Sequence, residues 1–209
     1  LYMTAFTEGY NPLSVVPDLP LDQKATDGAP AYVPFNYDRR FSAFVDSPRT
    51  GRGDFISFRQ ALRYSLNQPA VSTYQLVGND AFADMYVRLS GNENVREQFV
   101  GPSAALGTAN VSLLDQMQTY STIAGEGVYR PKKFILEIRD QNGQIVYDNS
   151  RVDGKQVVEK KFTFMITDMN KDYWSLATKP VVQQIKKTTD FGGKTGTSDT
   201  DGGPGDIAF

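Results

Sequence analysis

Apolar residues along this chain recur mostly at three- and four-residue steps, and the places where that rhythm stops divide it into short helices. Leu1, Tyr2, Ala5 and Phe6, followed by Glu8 and Gly9, predict the last turns of a helix ended by a glycine. Residues 10–54 lose the periodicity. Many prolines and glycines surround short apolar pieces such as Tyr32-Val33-Pro34-Phe35, which predicts a long irregular excursion of the kind that serves or covers a site. From Ser57 the helical step returns with Phe58, Ala61, Leu62 and Ser65, then breaks at Asn67-Gln68-Pro69. Asn67 is the predicted N-cap of the next helix, with Pro69 in its first turn and Val71, Tyr74 and Leu76 leading to Gly78. Phe82, Met85, Tyr86 and Leu89 share one side of a helix over residues 79–90. Ser112-Leu113-Leu114-Asp115 resembles a capping box opening another helix, which stops at Gly125 or Gly127.

The clearest strand signal follows: Phe134-Ile135-Leu136-Glu137-Ile138 and Gln144-Ile145-Val146-Tyr147 flank Asn142-Gly143, a hairpin turn signature. A further helix is predicted over Val158 to Met169, and residues 191–197 read as a short glycine-rich strand. Asp199 to Gly205 reads as a loop, and Asp206-Ile207-Ala208-Phe209 as the opening of another strand. Residues 1–209 are thus expected to be one partial domain, with an irregular region at 10–54, a helical part at 57–130, a hairpin at 131–150 and late strands at 191–209. The missing initiator methionine and the unfinished last strand suggest an internal piece of something longer.

Composition narrows the chemistry. The 209 residues include 22 basic and 24 acidic side chains, 40% hydrophobic residues, no cysteine and no histidine. A net charge of −2 gives a polyanion no attractive field, so no nucleic-acid partner is expected. No apolar run is long enough to span a membrane. Without histidine the commonest general base and zinc ligand are both missing, which excludes a Ser-His-Asp triad and an H-E-x-x-H metalloprotease. Acid–base work falls to lysine, carboxylate, tyrosine or hydroxyl groups; no metal or cofactor is expected.

Several short matches fail on spacing. Gly193-Lys194-Thr195 resembles the end of a phosphate-binding loop, but Thr188 stands where that motif needs glycine. Asp199-Thr200-Asp201 hints at a calcium loop, yet Gly203 replaces an oxygen ligand. Arg52-Gly53-Asp54 is a tripeptide that exposed loops produce by chance. Two segments survive. Ser65-Leu66-Asn67 lies at a helix junction where Ser65 and Asn67 can face one side while Leu66 anchors in the core. Lys194-Thr195-Gly196-Thr197 alternates its side chains along a strand, and Gly196 leaves room for close approach. Taken singly, Ser65 and Asn67 are a helix end plus a cap, and Lys194 is a surface lysine. Together and in this order they match the second and third members of the set S-x-x-K, S-x-N, K-T-G.

On those residues the chain resembles the transpeptidase domain of class A, bifunctional penicillin-binding proteins. Residues 58–71 are similar to the family's S-x-N region. Ala105-Leu106-Gly107 through Tyr120, with Gly127-Val128-Tyr129-Arg130-Pro131, is similar to its helix-then-hairpin passage, and 193–209 to its K-T-G strand, loop and next strand. The resemblance implies the α/β fold of serine β-lactamases and DD-transpeptidases, an antiparallel sheet with a helical lobe, incomplete in this chain. It places the nucleophilic serine and its lysine a few residues before Leu1; no Ser or Thr here is followed three positions later by lysine.

The same resemblance implies the chemistry. The missing serine is acylated by a D-Ala-D-Ala-terminated peptidoglycan stem and passes the acyl group to an amine of a neighbouring stem, and β-lactam antibiotics block it as a stable ester. Lys194 supplies a second positive charge that depresses the catalytic lysine, and Ser65 relays a proton to the leaving amine. Asn67 holds the substrate amide. Thr195, Gly196 and Thr197 line the substrate strand, with Thr197 on the substrate carboxylate and its N–H as one oxyanion donor. The implied location is the outer face of the cytoplasmic membrane, with a missing N-terminal anchor, and the rest of the protein is a candidate partner as another chain. Two alternatives stay open at this stage: a D,D-carboxypeptidase or β-lactamase relative, in which water is the acceptor, and a non-catalytic module that binds peptidoglycan or a partner.

Overall fold

In the computed structural model, residues 1–19, 34, 36, 55–175, 184–185, 191–200 and 203–208 are described, with side chains for 1–19, 34, 36, 55–172, 184–185 and 191–196. Most of the predicted excursion, and Phe209, lie outside the described residues. Its base is nevertheless visible. Strand β1 (Val15–Pro17) pairs antiparallel with β2 (Phe55–Ser57), in the register Val15 to Ser57 and Val16 to Ile56, so the ends of the intervening stretch are tied together. Val16 and Ile56 point into the core while Val15 and Phe55 face out, the alternation a half-buried ladder requires.

Around that ladder the helices assemble much where the apolar rhythm put them. Helix α1 (Tyr2–Thr7) is followed by α2 (Phe58–Arg63), α3 (Asn67–Val77), α4 (Asn79–Ser90), α5 (Leu113–Ala124) and α6 (Lys160–Ser175). One core gathers Tyr2, Phe6, Val16, Ile56, Phe58, Leu66, Met85 and Met169, each large side chain worth about 1.5–3 kcal/mol on burial. Rings of Tyr2 and Tyr10 tilt against Phe58 at 5.3 and 5.8 Å. A smaller cluster of Ala83, Val95, Phe99 and Ala104 lies under two 3-10 turns, Glu93–Gln98 and Pro102–Leu106, with Phe82 edge-on to Phe99. Helix α6 begins two residues later than predicted and runs six residues further, with Thr163 and Met169 buried.

Local chemistry fixes the joints. At the predicted capping box, Ser112 accepts from the Asp115 N–H at 3.1 Å, and its hydroxyl donates to the Asp115 carboxylate at 2.7 Å. Asp115 also accepts from Lys132 Nζ and Asn92 Nδ2 at 2.7 and 3.0 Å. Burial pushes that carboxyl up, but the hydrogen bonds from Lys132, Ser112 and Asn92 outweigh it and hold the group below its ordinary value. After α5 the chain turns at Gly127 (φ +83°), whose carbonyl accepts from the N–H groups of Val157 and Val158, beside the ladder of β3 (Val128–Tyr129) with β6 (Lys155–Gln156).

The hairpin departs from its predicted geometry. Its strands are β4 (Glu137–Arg139) and β5 (Ile145–Asp148), and of Asn142 and Gly143 only Gly143 has positive φ, so the two-residue turn with two left-handed residues is not formed. Instead the Asp140 side chain accepts from the N–H groups of Asn142 and Gln144 and closes a longer loop. At the end of the chain, β7 (Thr195–Thr200) pairs with β8 (Gly203–Ala208) antiparallel along their whole length. The stretch read as a loop from Asp199 to Gly205 is therefore largely ladder, with Asp199 opposite Pro204. All sheets among the described residues have two strands.

Candidate active site

Helix α2 ends in an arrangement that displays Ser65. The N–H of Ser65 bonds to the carbonyl of Leu62 and that of Leu66 to Ala61, at 3.1 and 3.0 Å, the paired bonds of a Schellman motif. The residue between helix end and closing N–H usually is glycine, because it sits in the left-handed region; here it is Ser65, at φ 56°. Holding a serine there costs on the order of 1 kcal/mol. Buried Leu66 anchors against Ala61, and the exposed serine hydroxyl is carried on a rigid corner.

Asn67 is a correction to the sequence reading. It is the first residue of α3, and the N-cap position belongs to Leu66, whose side chain offers no acceptor. The missing acceptor comes from elsewhere: Asn36 Oδ1 accepts from the Gln68 N–H at 3.1 Å, and Asn36 Nδ2 donates to Asp18 Oδ1 at 2.9 Å and Gln68 Oε1 at 3.3 Å. Asp18, Asn36 and Gln68 are all buried. Nothing in the sequence around residue 67 announces this partner, which lies 32 residues upstream.

Across 129 residues of sequence, Lys194 meets Ser65: Lys194 Nζ donates to Ser65 Oγ at 2.7 Å and to the Thr195 carbonyl, also at 2.7 Å. Burial lowers the Lys194 ammonium from 10.5 to about 8. Near neutrality it stays mostly protonated, a proton donor close to the point of losing its charge. The Ser65 oxygen accepts from it and keeps its own hydrogen to give, so the pair can pass a proton outward. Contrary to the reading of a strand from residue 191, Lys194 precedes β7. Thr195 and Gly196 open the strand opposite Ala208 and Ile207, and Thr197 pairs with Asp206 by backbone; the Thr197 side chain lies outside the described residues.

Helix α6 supports both halves. Arg59 on α2 forms ion pairs with Asp168 and Asp172 on α6, the second at 2.6 Å. On α6 itself, the Asn170 carbonyl accepts from the Gly193 N–H at 3.5 Å, and a Cβ on Gly192 would stand 3.1 Å from the Asn170 Cβ. Glycine at 192 thus permits the strand entry to lie against the helix. An open groove of about 810 Å³ between α1 and α6, lined by Phe6, Tyr10, Phe162 and Met165, has neither Ser65 nor Lys194 in its lining.

Comparison with known proteins places these residues in context. A sequence model of the penicillin binding protein transpeptidase domain matches residues 38–207. Penicillin-binding protein 1B of Vibrio cholerae is 27% identical over 201 residues, covering 95% of this chain and 24% of its own length. The chain spans about a quarter of the length of the curated relatives it matches. The crystal structure of penicillin-binding protein 1A from Haemophilus influenzae superposes with a TM-score of 0.75 at 21% identity, over 95% of this chain and 33% of that one. Penicillin-binding protein A of Mycobacterium tuberculosis, solved as a penicillin G acyl-enzyme complex, gives 0.68 at 14% identity, over 95% and 45%. The fold is that of penicillin-binding transpeptidase domains, the serine β-lactamase-like fold.

Proposed function

The chain belongs to the penicillin-binding protein transpeptidase domain family, and we propose that it supplies two of the three catalytic motifs of a serine-type D-Ala-D-Ala transpeptidase that cross-links peptidoglycan stems. The observation that carries this reading is the hydrogen bond from Lys194 Nζ to Ser65 Oγ. It joins the S-x-N and K-T-G motifs into one proton path in a chain that has no histidine.

In this reading the nucleophilic serine and its lysine lie N-terminal to Leu1 in the parent protein. The Lys194 charge disfavours protonation of that second lysine, which then accepts the serine proton. As the tetrahedral intermediate collapses, Ser65 gives its hydrogen to the leaving D-alanine amine and is reprotonated by Lys194. Asn67 holds the stem amide. Thr195, Gly196 and Thr197 bound the substrate strand, Thr197 taking the terminal carboxylate and lending its N–H to the oxyanion; removal of one such donor costs about 10²–10³ in turnover. β-Lactams occupy the same place as the stem terminus. The site works on the outer face of the cytoplasmic membrane, where stems are found, and no helix among the described residues is long and apolar enough to cross that membrane.

The test is covalent labelling with a fluorescent penicillin. The full-length parent should label, and Lys194→Ala in it should label at least about 100-fold more slowly, the range of a lost electrostatic or proton-transfer contribution. Residues 1–209 alone should not label. Labelling of Lys194→Ala at the parent rate refutes the role given to Lys194.

A further inference from the structure

The buried triad of Asp18, Asn36 and Gln68 is not used by the chemistry above, and it adjoins Asn67. We propose that Asn36 is a positioning residue for the S-x-N motif: its side chain caps the first turn of α3 from outside and so fixes Asn67 against the site. The inference rests on the transpeptidase reading and extends it to a residue outside all three motifs.

The first N–H groups of any helix lack intrahelical acceptors, and an Asn, Asp, Ser or Thr at the N-cap normally satisfies one at the second or third helical residue. In α3 the N-cap is Leu66, and no side-chain cap bond is made from that position. Leucine is needed there for another purpose, since it closes the Schellman corner and is 4% exposed. Asn36 takes over the capping role by accepting from the N–H of Gln68, the second helical residue. Its own orientation is fixed on the other side. Asn36 Nδ2 donates to Asp18 Oδ1 and Gln68 Oε1, and Gln68 Nε2 donates to the Pro34 carbonyl at 3.5 Å. Asp18 follows directly on β1, so the amide is held by a residue rooted in the core ladder.

The consequence falls on the neighbour. Asn67 lies between the Ser65 corner and the capped Gln68, so its direction is set by the first turn of α3. A frayed first turn lets Asn67 swing, and a displacement of about 1 Å in a positioning group costs on the order of 10²-fold in rate. Asp18 and Asn36 are thus coupled to the first turn of α3 through the Asn36 amide.

The experiment measures acylation of the full-length parent by fluorescent penicillin, with amide hydrogen exchange at Gln68 followed by mass spectrometry. Asn36→Ala should acylate about 10–100-fold more slowly per folded molecule and exchange Gln68 faster. Asn36→Asp keeps the acceptor but sets two carboxylates together, and should be slow as well. The exchanged pair, Asp18→Asn with Asn36→Asp, restores one donor and one acceptor and should recover to within about threefold of the parent. A purely structural role predicts lower melting temperatures with acylation per folded molecule unchanged, and that result overturns the proposal. So does failure of the exchanged pair to recover while its Gln68 amide is as protected as in the parent. A parent that never acylates overturns the transpeptidase reading and this inference with it, whereas an acylating parent with variants at its own rate overturns only the assignment to Asn36.

Discussion

Replacing Lys194 by methionine should stabilise the fold while disabling the site. Burial lowers this ammonium from 10.5 to about 8, a difference worth about 3 kcal/mol against the charged form at neutral pH. The folded-state value lies below the unfolded one, so between about pH 8 and 10.5 the unfolded chain binds more protons and stability rises with pH. The penalty is fully present below about pH 8 and fades toward 10.5. Methionine fills a similar volume and does not titrate. Ser65 is exposed, so water can replace the lost donor at its hydroxyl. Lys194 is itself partly exposed, and solvent screening reduces the gain, leaving an expected stabilisation of about 1–3 kcal/mol at pH 7. Urea unfolding of both proteins should show the gap closing by roughly 1–2 kcal/mol by about pH 9.5. The scan stops there because burial raises Tyr74 and Tyr120 above the ordinary tyrosine value, which introduces an opposing slope at higher pH. A methionine variant less stable than the parent at pH 7, or a gap that does not change with pH, refutes the account of Lys194 as a charge held against burial.

Two further outcomes test the frame. Gly127→Ala places a Cβ 2.1 Å from the Val158 carbonyl oxygen at a φ of +83°, so backbone must move; circular dichroism melts should show a loss of about 3 kcal/mol or more. Asp115→Asn should lower stability at pH 7 by about 1–2 kcal/mol by weakening the bonds to Lys132 and Ser112. Because the Asp115 carboxyl is held below its ordinary value, its contribution is present above the usual carboxylate range and lost as pH falls through the depressed one, so the two proteins should converge in acid unfolding curves.

Legibility of the sequence followed the range of the forces. Helices α2 to α5 were readable because their signals, apolar spacing and local stop residues such as Gly78, act within a turn or two. The Ser112 box was readable because cap and partner are three residues apart. The N-cap of α3 was misread because its acceptor arrives from Asn36, while the neighbouring asparagine offered a local answer. Asp199 to Gly205 looked like a loop by composition, but pairing with the opposite strand decides a ladder, and Pro204 is accommodated in it. Motif spacing singled out Ser65 and Lys194. Their meeting, and the left-handed backbone that presents Ser65, come from tertiary structure that no local pattern encodes.

Helix α6 stands behind that meeting, bonded through Asp168 and Asp172 to the helix that precedes Ser65 and lying against the glycines that lead into Lys194. Both segments lean on this one helix, and Ser65 and Lys194 meet at 2.7 Å whatever the length of chain that separates them. The exposed Asn142-Gly143 loop lies within that intervening chain, which makes it the natural port for grafting: a reporter peptide or a purification handle inserted there lengthens the route between Ser65 and Lys194 without altering the gap.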